Sequence, residues 1–305
     1  MRQLAGIELG GTKTILVRGA PGRIAERIEI PTTLPDETLG QAAAILTDWH
    51  CQNPIAALGI ASFGPVRLDP AAADFGSILH TPKPGWRGAR LIAGLRGEMD
   101  CRIALDTDVN AAALAEYRLG AAQGCGNMVY LTIGTGIGGG ILVEGRPVHG
   151  ALHPEVGHVR LRRVAGDDFA GVCPFHGDCA EGLLSGPALA ARFRRHPSEI
   201  SRDDAAWDPV SRDLAELFAL LILTLSPQRI VVGGGVTGKQ PHLLPRAIAH
   251  VPTILAGYLA DCDAASLGTR IVPAALGDDA GPNGALVLAA DILAAEPVAG
   301  AGRHL

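Results

Sequence analysis

The chain has 305 residues, 48% of them hydrophobic and 19% charged, with a formal net charge of −5. That length exceeds one small core and sets an expectation of two domains of about 150 residues each. The acidic balance gives no electrostatic case for binding nucleic acid, and no apolar run is long enough to cross a membrane.

The opening MRQLAGIELGG enters an apolar stretch directly and does not read as a secretory signal, so a reducing, cytoplasmic setting is expected. Next, 8-ELGGTKTILV-17 reads as an apolar strand, a Gly/Thr turn and a second strand. Residues 37–50 have helical spacing, 55–62 reads as a buried strand, 88–98 as a helix, 101–108 as a strand, and 109–122 as a helix rich in strong formers. The run 133-IGTGIGGGILV-143 repeats the strand, glycine turn and strand about 125 residues after the first. An irregular segment follows over 146–185, with helices near 186–196 and 208–225. A strand at 229–235 ends in glycines, and a helix closes over 281–295. The basic clusters RLRR (160–163) and RFRR (192–195) read as solvated faces. Strands alternating with helices predict α/β layers, and the repeated glycine device predicts two related domains facing each other.

Residues 134-GTGIGG-139 satisfy the G-x-G-x-x-G pattern, but they run into Ile141, Leu142 and Val143. A dinucleotide fingerprint needs a helix there, with pyrophosphate on its N-terminus, so the context is a hairpin instead. A glycine hairpin still lets backbone N–H groups approach an anion, and Thr135 adds a hydroxyl. A tight structural hairpin is the plain alternative; finding two such loops favours phosphate, clamped from both sides. In the first loop Glu8 precedes Gly10, Gly11, Thr12 and Lys13. An acid beside a phosphate loop implies an intervening cation, so Glu8 is expected to hold Mg2+ through water. Lys13 either meets phosphate as a point charge or closes a surface salt bridge.

The strand at 101–106 delivers Asp106, Thr107 and Asp108, and Asn110 opens a helix. One acid suffices to cap a helix, and this turn carries two acids plus an amide. The surplus carboxylate is placed to accept a proton from a substrate hydroxyl, which is what phosphoryl transfer requires of a base. Asp108 is the expected base, with Asp106 as the fallback.

The segment 173-CPFHGDCAEG-182 sets Cys173, His176 and Cys179 two residues apart from one another. Two thiolates and an imidazole suit zinc, and the nearby His158 or His153 completes a tetrahedron. A Cys173–Cys179 disulfide is the alternative; CxxC redox chemistry fails because the motif is missing. The other four cysteines read as small buried hydrophobes. A site closed by four protein ligands would be structural.

Taken together, IELGGTK, SFGPV (62–66), LDTDVNAAALAEY (105–117), TIGTGIGGGI (132–141), HPEVGH (153–158) and CPFHGDCAEG resemble the ROK family of bacterial sugar kinases and repressors, over almost the whole chain. The likeness is closest to the fructokinase branch: glutamate at position 8, TDVN where glucokinase-like members have NDAN, and TPKPGW at 81–86. The resemblance implies the actin/hexokinase-like (ribonuclease H-like) ATPase fold, two duplicated α/β domains around a cleft. Domain one would be 1–110, completed by the C-terminal helix 285–305, and domain two 111–284. It implies an ATP-dependent kinase that uses Mg2+ and phosphorylates the 6-hydroxyl of a hexose, fructose foremost. Glucose, mannose or an N-acetylhexosamine are the alternative substrates, and a homodimer is the usual assembly.

The family's roles carry over residue by residue. Asp108 matches the general base, Gly10, Gly11, Thr12 and Lys13 the first phosphate loop, and Thr135, Gly136 and Gly138 the second. Gly234 and Gly235 fall near the nucleoside, Gly64 and Pro65 line the sugar pocket, and Thr107 and Asn110, beside the base, are expected to bind the sugar too. Glu155, His158 and Glu181 match positions that touch the sugar or bind Zn2+; the E-x-G-H match favours His158 over His153 as the fourth ligand beside Cys173, His176 and Cys179. Thr107 replaces an asparagine that glucokinase-like members use, and His176 replaces a cysteine, as is usual in the fructokinase branch. A sugar-responsive repressor is the rival of another class, but it would carry a helix-turn-helix ahead of the first glycine loop. A non-catalytic sugar binder is the third reading, and retention of Asp108 and both loops argues against it.

Overall fold

Two five-stranded sheets organise the chain, whose computed structural model describes residues 3–295. The first part runs β1 (Gln3–Leu9), β2 (Lys13–Ala20), β3 (Arg23–Pro31), α1 (Pro35–Gln52), β4 (Ile55–Ser62), α2 (Leu91–Arg96), β5 (Arg102–Thr107) and α3 (Asp108–Leu119). The second runs β6 (Met128–Ile133), β7 (Ile137–Val143), β8 (Arg146–Pro147), α4 (Ala180–Leu184), α5 (Gly186–Phe193), α6 (Trp207–Leu225), β9 (Arg229–Gly233), α7 (Gly235–Lys239), α8 (Leu243–Leu255), α9 (Ala264–Arg270), β10 (Ile271–Pro273) and α10 (Ala280–Ala294). The chain divides into two compact units. One is built from the chain up to Ala111 and resumes at Gly281; the other is Ala112–Ala280. The expected helix over 285–305 is seen as the part of α10 up to Ala294; residues 296–305 lie outside the described residues.

The sheets have one topology. In the first, β1, β2 and β3 form an antiparallel meander, while β4 and β5 add in parallel on the other side of β1. In the second, β6, β7 and β8 repeat the meander, and β9 and β10 add in parallel beside β6. Each glycine run is therefore the turn between the first two strands of its sheet, as the repeat predicts. The GTGIGG stretch joins antiparallel strands, which is the hairpin read from its apolar exit.

Local chemistry accounts for the elements. Pro35 sits in the first turn of α1 with Asp36 and Glu37, where a missing N–H costs nothing and acids meet the positive helix end. β3 alternates charged and apolar residues and is largely solvated, as suits an edge strand. Trp49 and Trp86 anchor the first core, Trp207 and Phe218 the second. Among the described residues no helix is long and apolar enough to cross a membrane.

α10 packs on the first sheet through missing side chains. A Cβ on Gly59 of β4 would overlap the carbonyl oxygen of Ala285, and one on Gly6 of β1 would stand 2.8 Å from the Ala285 Cβ. Gly284 is crowded in the same way by the backbone of Ala111. Gly40, by contrast, lies exposed in α1 with open space around it. Gly59→Ala should therefore lower stability by about 3 kcal/mol through backbone overlap. Gly40→Ala should raise it by up to about 1 kcal/mol through helix propensity. Denaturant unfolding of the two variants checks both signs.

Candidate functional site

In the first unit, the hairpin turn Gly10–Thr12 is closed by Gly10 N–H donating to the Lys13 carbonyl at 3.0 Å. Gly11 is exposed, and an added Cβ would meet nothing within 4 Å. Neither packing nor a left-handed backbone explains a glycine there. Lys13 reaches Glu29 at 3.5 Å with both side chains about half exposed, which is the surface-pair alternative for this residue. Glu8 lies half-buried on β1, and its carboxylate occupies the space that a side chain on Gly281 would fill. Gly281 is in the first turn of α10, where a negative charge is favoured by the helix dipole.

The end of β5 sorts its two acids. Asp106 is buried, and its Oδ1 accepts from Thr107 N–H and from the Asn110 side-chain amide, both at 2.7 Å. Thr107 Oγ1 accepts from Asn110 N–H at 3.1 Å, and both residues are buried. This cluster opens α3 and holds Asp106, Thr107 and Asn110 inside the protein. Asp108, the first residue of the helix, is only half-buried. After β4, Gly64 and Pro65 form a loop that pairs back through Leu79 N–H to the Pro65 carbonyl at 2.7 Å.

In the second unit, the turn Gly134–Gly136 lies beside Gly234 and Gly235. A Cβ on Gly134 would stand 3.8 Å from the Gly235 amide nitrogen. Gly234 has φ of 92°, and a side chain there would strike the backbone of Ile133. Thr135 is exposed at the turn, and Gly138 begins the run of small residues in β7. Glu181, in the first turn of α4, accepts from Ile137 N–H at 3.0 Å. Its carboxylate explains the glycine at 136, where a Cβ would sit 2.7 Å from Oε2. The Glu155 carboxyl is pushed up to about 7, first by burial and next by the negative charge of Glu181. His153 is buried and places Nδ1 3.3 Å from the Glu155 carboxylate.

The knuckle closes on itself. The ligand atoms of His158, Cys173, His176 and Cys179 all lie within 4.8 Å of one another, and both cysteines are free thiols. His158 Nδ1 is 3.8 Å from Cys173 Sγ and 3.6 Å from Cys179 Sγ, while His176 Nδ1 is 3.7 Å from Cys173 Sγ. A zinc tetrahedron with ordinary bond lengths has sulfur-to-nitrogen edges of roughly 3.5 Å, so this donor set fits the metal. His153 is turned to Glu155 and is not part of the set.

Two features escape the sequence reading. Arg192, placed among solvated residues by the RFRR run, is half-buried instead, with its side chain only 8% exposed, and reaches Asp167 at 2.9 Å and Asp213 at 3.0 Å. Burial pushes Asp213 up to about 6 against the pull of the arginines. That pairing couples residues 21 and 25 positions from Arg192, which a local charge run does not reveal. Lys83, a lone cation between two prolines of TPKPGW, donates to the Gly11 carbonyl and to the Thr32 carbonyl at 3.4 Å.

The sequence profile described as the ROK family matches residues 4–292. The chain is 40% identical over 296 residues to a fructokinase of Zymomonas mobilis, covering 95% of this chain and 96% of that one. It is 38% identical over 287 residues to a fructokinase of Pediococcus pentosaceus, covering 94% and 97%. Among solved structures, a ROK family glucokinase from Streptomyces griseus, in complex with glucose and AMPPNP, aligns with a TM-score of 0.74 at 26% identity. That alignment covers 95% of this chain and 99% of the glucokinase.

The two acids of the β5–α3 turn should separate by stability. Asp106→Ala removes the buried acceptor shared by Thr107 N–H and the Asn110 amide and should cost about 1–3 kcal/mol. Asp108→Ala should cost less, and denaturant midpoints of the two variants measure the difference.

Proposed function

This chain belongs to the ROK family, and from that premise we propose that it is an ATP-dependent kinase that transfers the γ-phosphate to the 6-hydroxyl of fructose. The identity to two fructokinases over nearly their whole lengths supports the substrate. The observation that carries the mechanism is the sorting of acids after β5, which commits Asp106 to Asn110 and leaves Asp108 half-buried.

Asp108 accepts the proton of the sugar hydroxyl. The oxygen then bonds to the γ-phosphorus as the bond to the bridging β–γ oxygen breaks, and ADP leaves. Gly64 and Pro65 line the sugar, with Thr107 and Asn110 contributing to the sugar site beside the base. Gly10, Gly11, Thr12 and Lys13 offer one set of phosphate contacts, Thr135, Gly136 and Gly138 a second, and Gly234 and Gly235 take the nucleoside end. Glu155, Glu181 and His158 orient sugar hydroxyls. Mg2+, when bound with the nucleotide, neutralises phosphate charge; Glu8 would hold it through water. Zn2+ would be held by His158, Cys173, His176 and Cys179. Four protein ligands leave it no open position, so its contribution is structural. A cytoplasmic homodimer completes the reading.

Asp108→Asn should lower kcat with fructose and ATP by at least ~10²-fold while fructose still binds. Turnover near that of the wild type would sink the assignment. Elemental analysis of purified protein should find about one zinc per chain, and Cys173→Ser should lose most of it. Active, folded protein without zinc would refute the knuckle as a metal site.

A further inference from the structure

The cation seated on the first glycine turn is Lys83, which no motif of the phosphate loop contains. Its own segment is held firmly. Trp86 is fully buried, donates from Nε1 to the Thr33 carbonyl at 2.8 Å, and meets the Phe63 ring edge-on at 5.1 Å. From this base the Lys83 ammonium reaches the carbonyls of Gly11 and Thr32 and stands 6.0 Å from the centre of the Phe63 ring. Thr32 N–H in turn donates to the Thr12 carbonyl at 3.0 Å, and Phe63 N–H donates to the Leu9 carbonyl at 2.9 Å. One ammonium thus touches the glycine turn, the strand exit that braces it, and the aromatic residue that leads into Gly64 and Pro65.

The turn needs such a brace. Nothing lies within 4 Å of a side chain added at Gly11, so no packing on that side holds the turn, and glycine backbone is costly to hold in one conformation. A charged donor on its carbonyl gives a stronger bond than a neutral one and removes that freedom before a ligand arrives. Partial burial also lowers the Lys83 pKa.

We infer that Lys83 is a positioning residue that holds the first glycine turn and the Phe63–Pro65 loop in one arrangement, so that the phosphate amides and the sugar-lining loop are set together. Assigning phosphate and sugar to those loops rests on the kinase reading; the brace itself does not.

The test compares Lys83→Met, which keeps most of the stem, with Lys83→Arg, which keeps the charge. In ligand-free protein, hydrogen exchange at residues 10–13 should speed up in Lys83→Met and stay near the wild type in Lys83→Arg. With fructose and ATP, Lys83→Met should lose roughly 10–100-fold in kcat/KM for ATP, the scale of one charged hydrogen bond. KM for fructose should shift less, and Lys83→Arg should recover most of the loss. Unchanged exchange at residues 10–13 in Lys83→Met overturns the inference. So does faster exchange spread over the whole first unit, which would mark Lys83 as general packing. If the wild type turns over no hexose, the kinase reading fails, and the exchange result still decides the role of Lys83.

Discussion

One hydrogen bond, from the Ile137 N–H to the Glu181 carboxylate at 3.0 Å, ties the glycine turn of the second unit to the head of α4. The carboxylate stands where a side chain on Gly136 would be, so the glycine turn keeps its shape around an acid and not around empty space. Glu181 lies two residues beyond Cys179, so the same contact links the Cys/His knuckle to the hairpin. It also places a second negative charge against Glu155, which adds to burial in pushing that carboxyl up to about 7. The first unit uses the same steric exchange, Glu8 filling the side-chain space of Gly281 at the head of α10. In both units a carboxylate packs into the space that a side chain on a glycine would fill.

This shifts the meaning of the glycines. Gly59, Gly6 and Gly284 let α10 lie close on its sheet and neighbouring helix, and they belong to packing. Gly136 and Gly281 make room for acids. Gly11 and Gly235, like the surface glycine Gly40, have nothing within 4 Å of an added Cβ, so packing does not account for them. Sequence motifs treat these three kinds alike, and only their surroundings separate them.

The fold was legible where the pattern was local. Two glycine runs between apolar strands announced the duplicated hairpins, and the strongly periodic helices fell within a few residues of their positions. β3 went unread although RIAERIEIP alternates with period two, because its alternation is between charged and half-buried residues on an edge. α8 and α9 went unread because Pro252 and a mixed, glycine-containing segment blur their periods. At the site, the Cys/His spacing and the paired acids of the β5–α3 turn were visible as chemistry. Arg192 and Lys83 were not, since what each does depends on partners brought near only by folding. Lys83 reaches Gly11 across 72 positions of sequence.

The account stands or falls as a hexose kinase that prefers fructose. An ATP-coupled assay on the wild-type protein with fructose, glucose, mannose and N-acetylglucosamine tests this most directly. The account predicts ADP release with fructose at the highest kcat/KM of the four. No turnover with any sugar, or a clear preference for glucose, would contradict it.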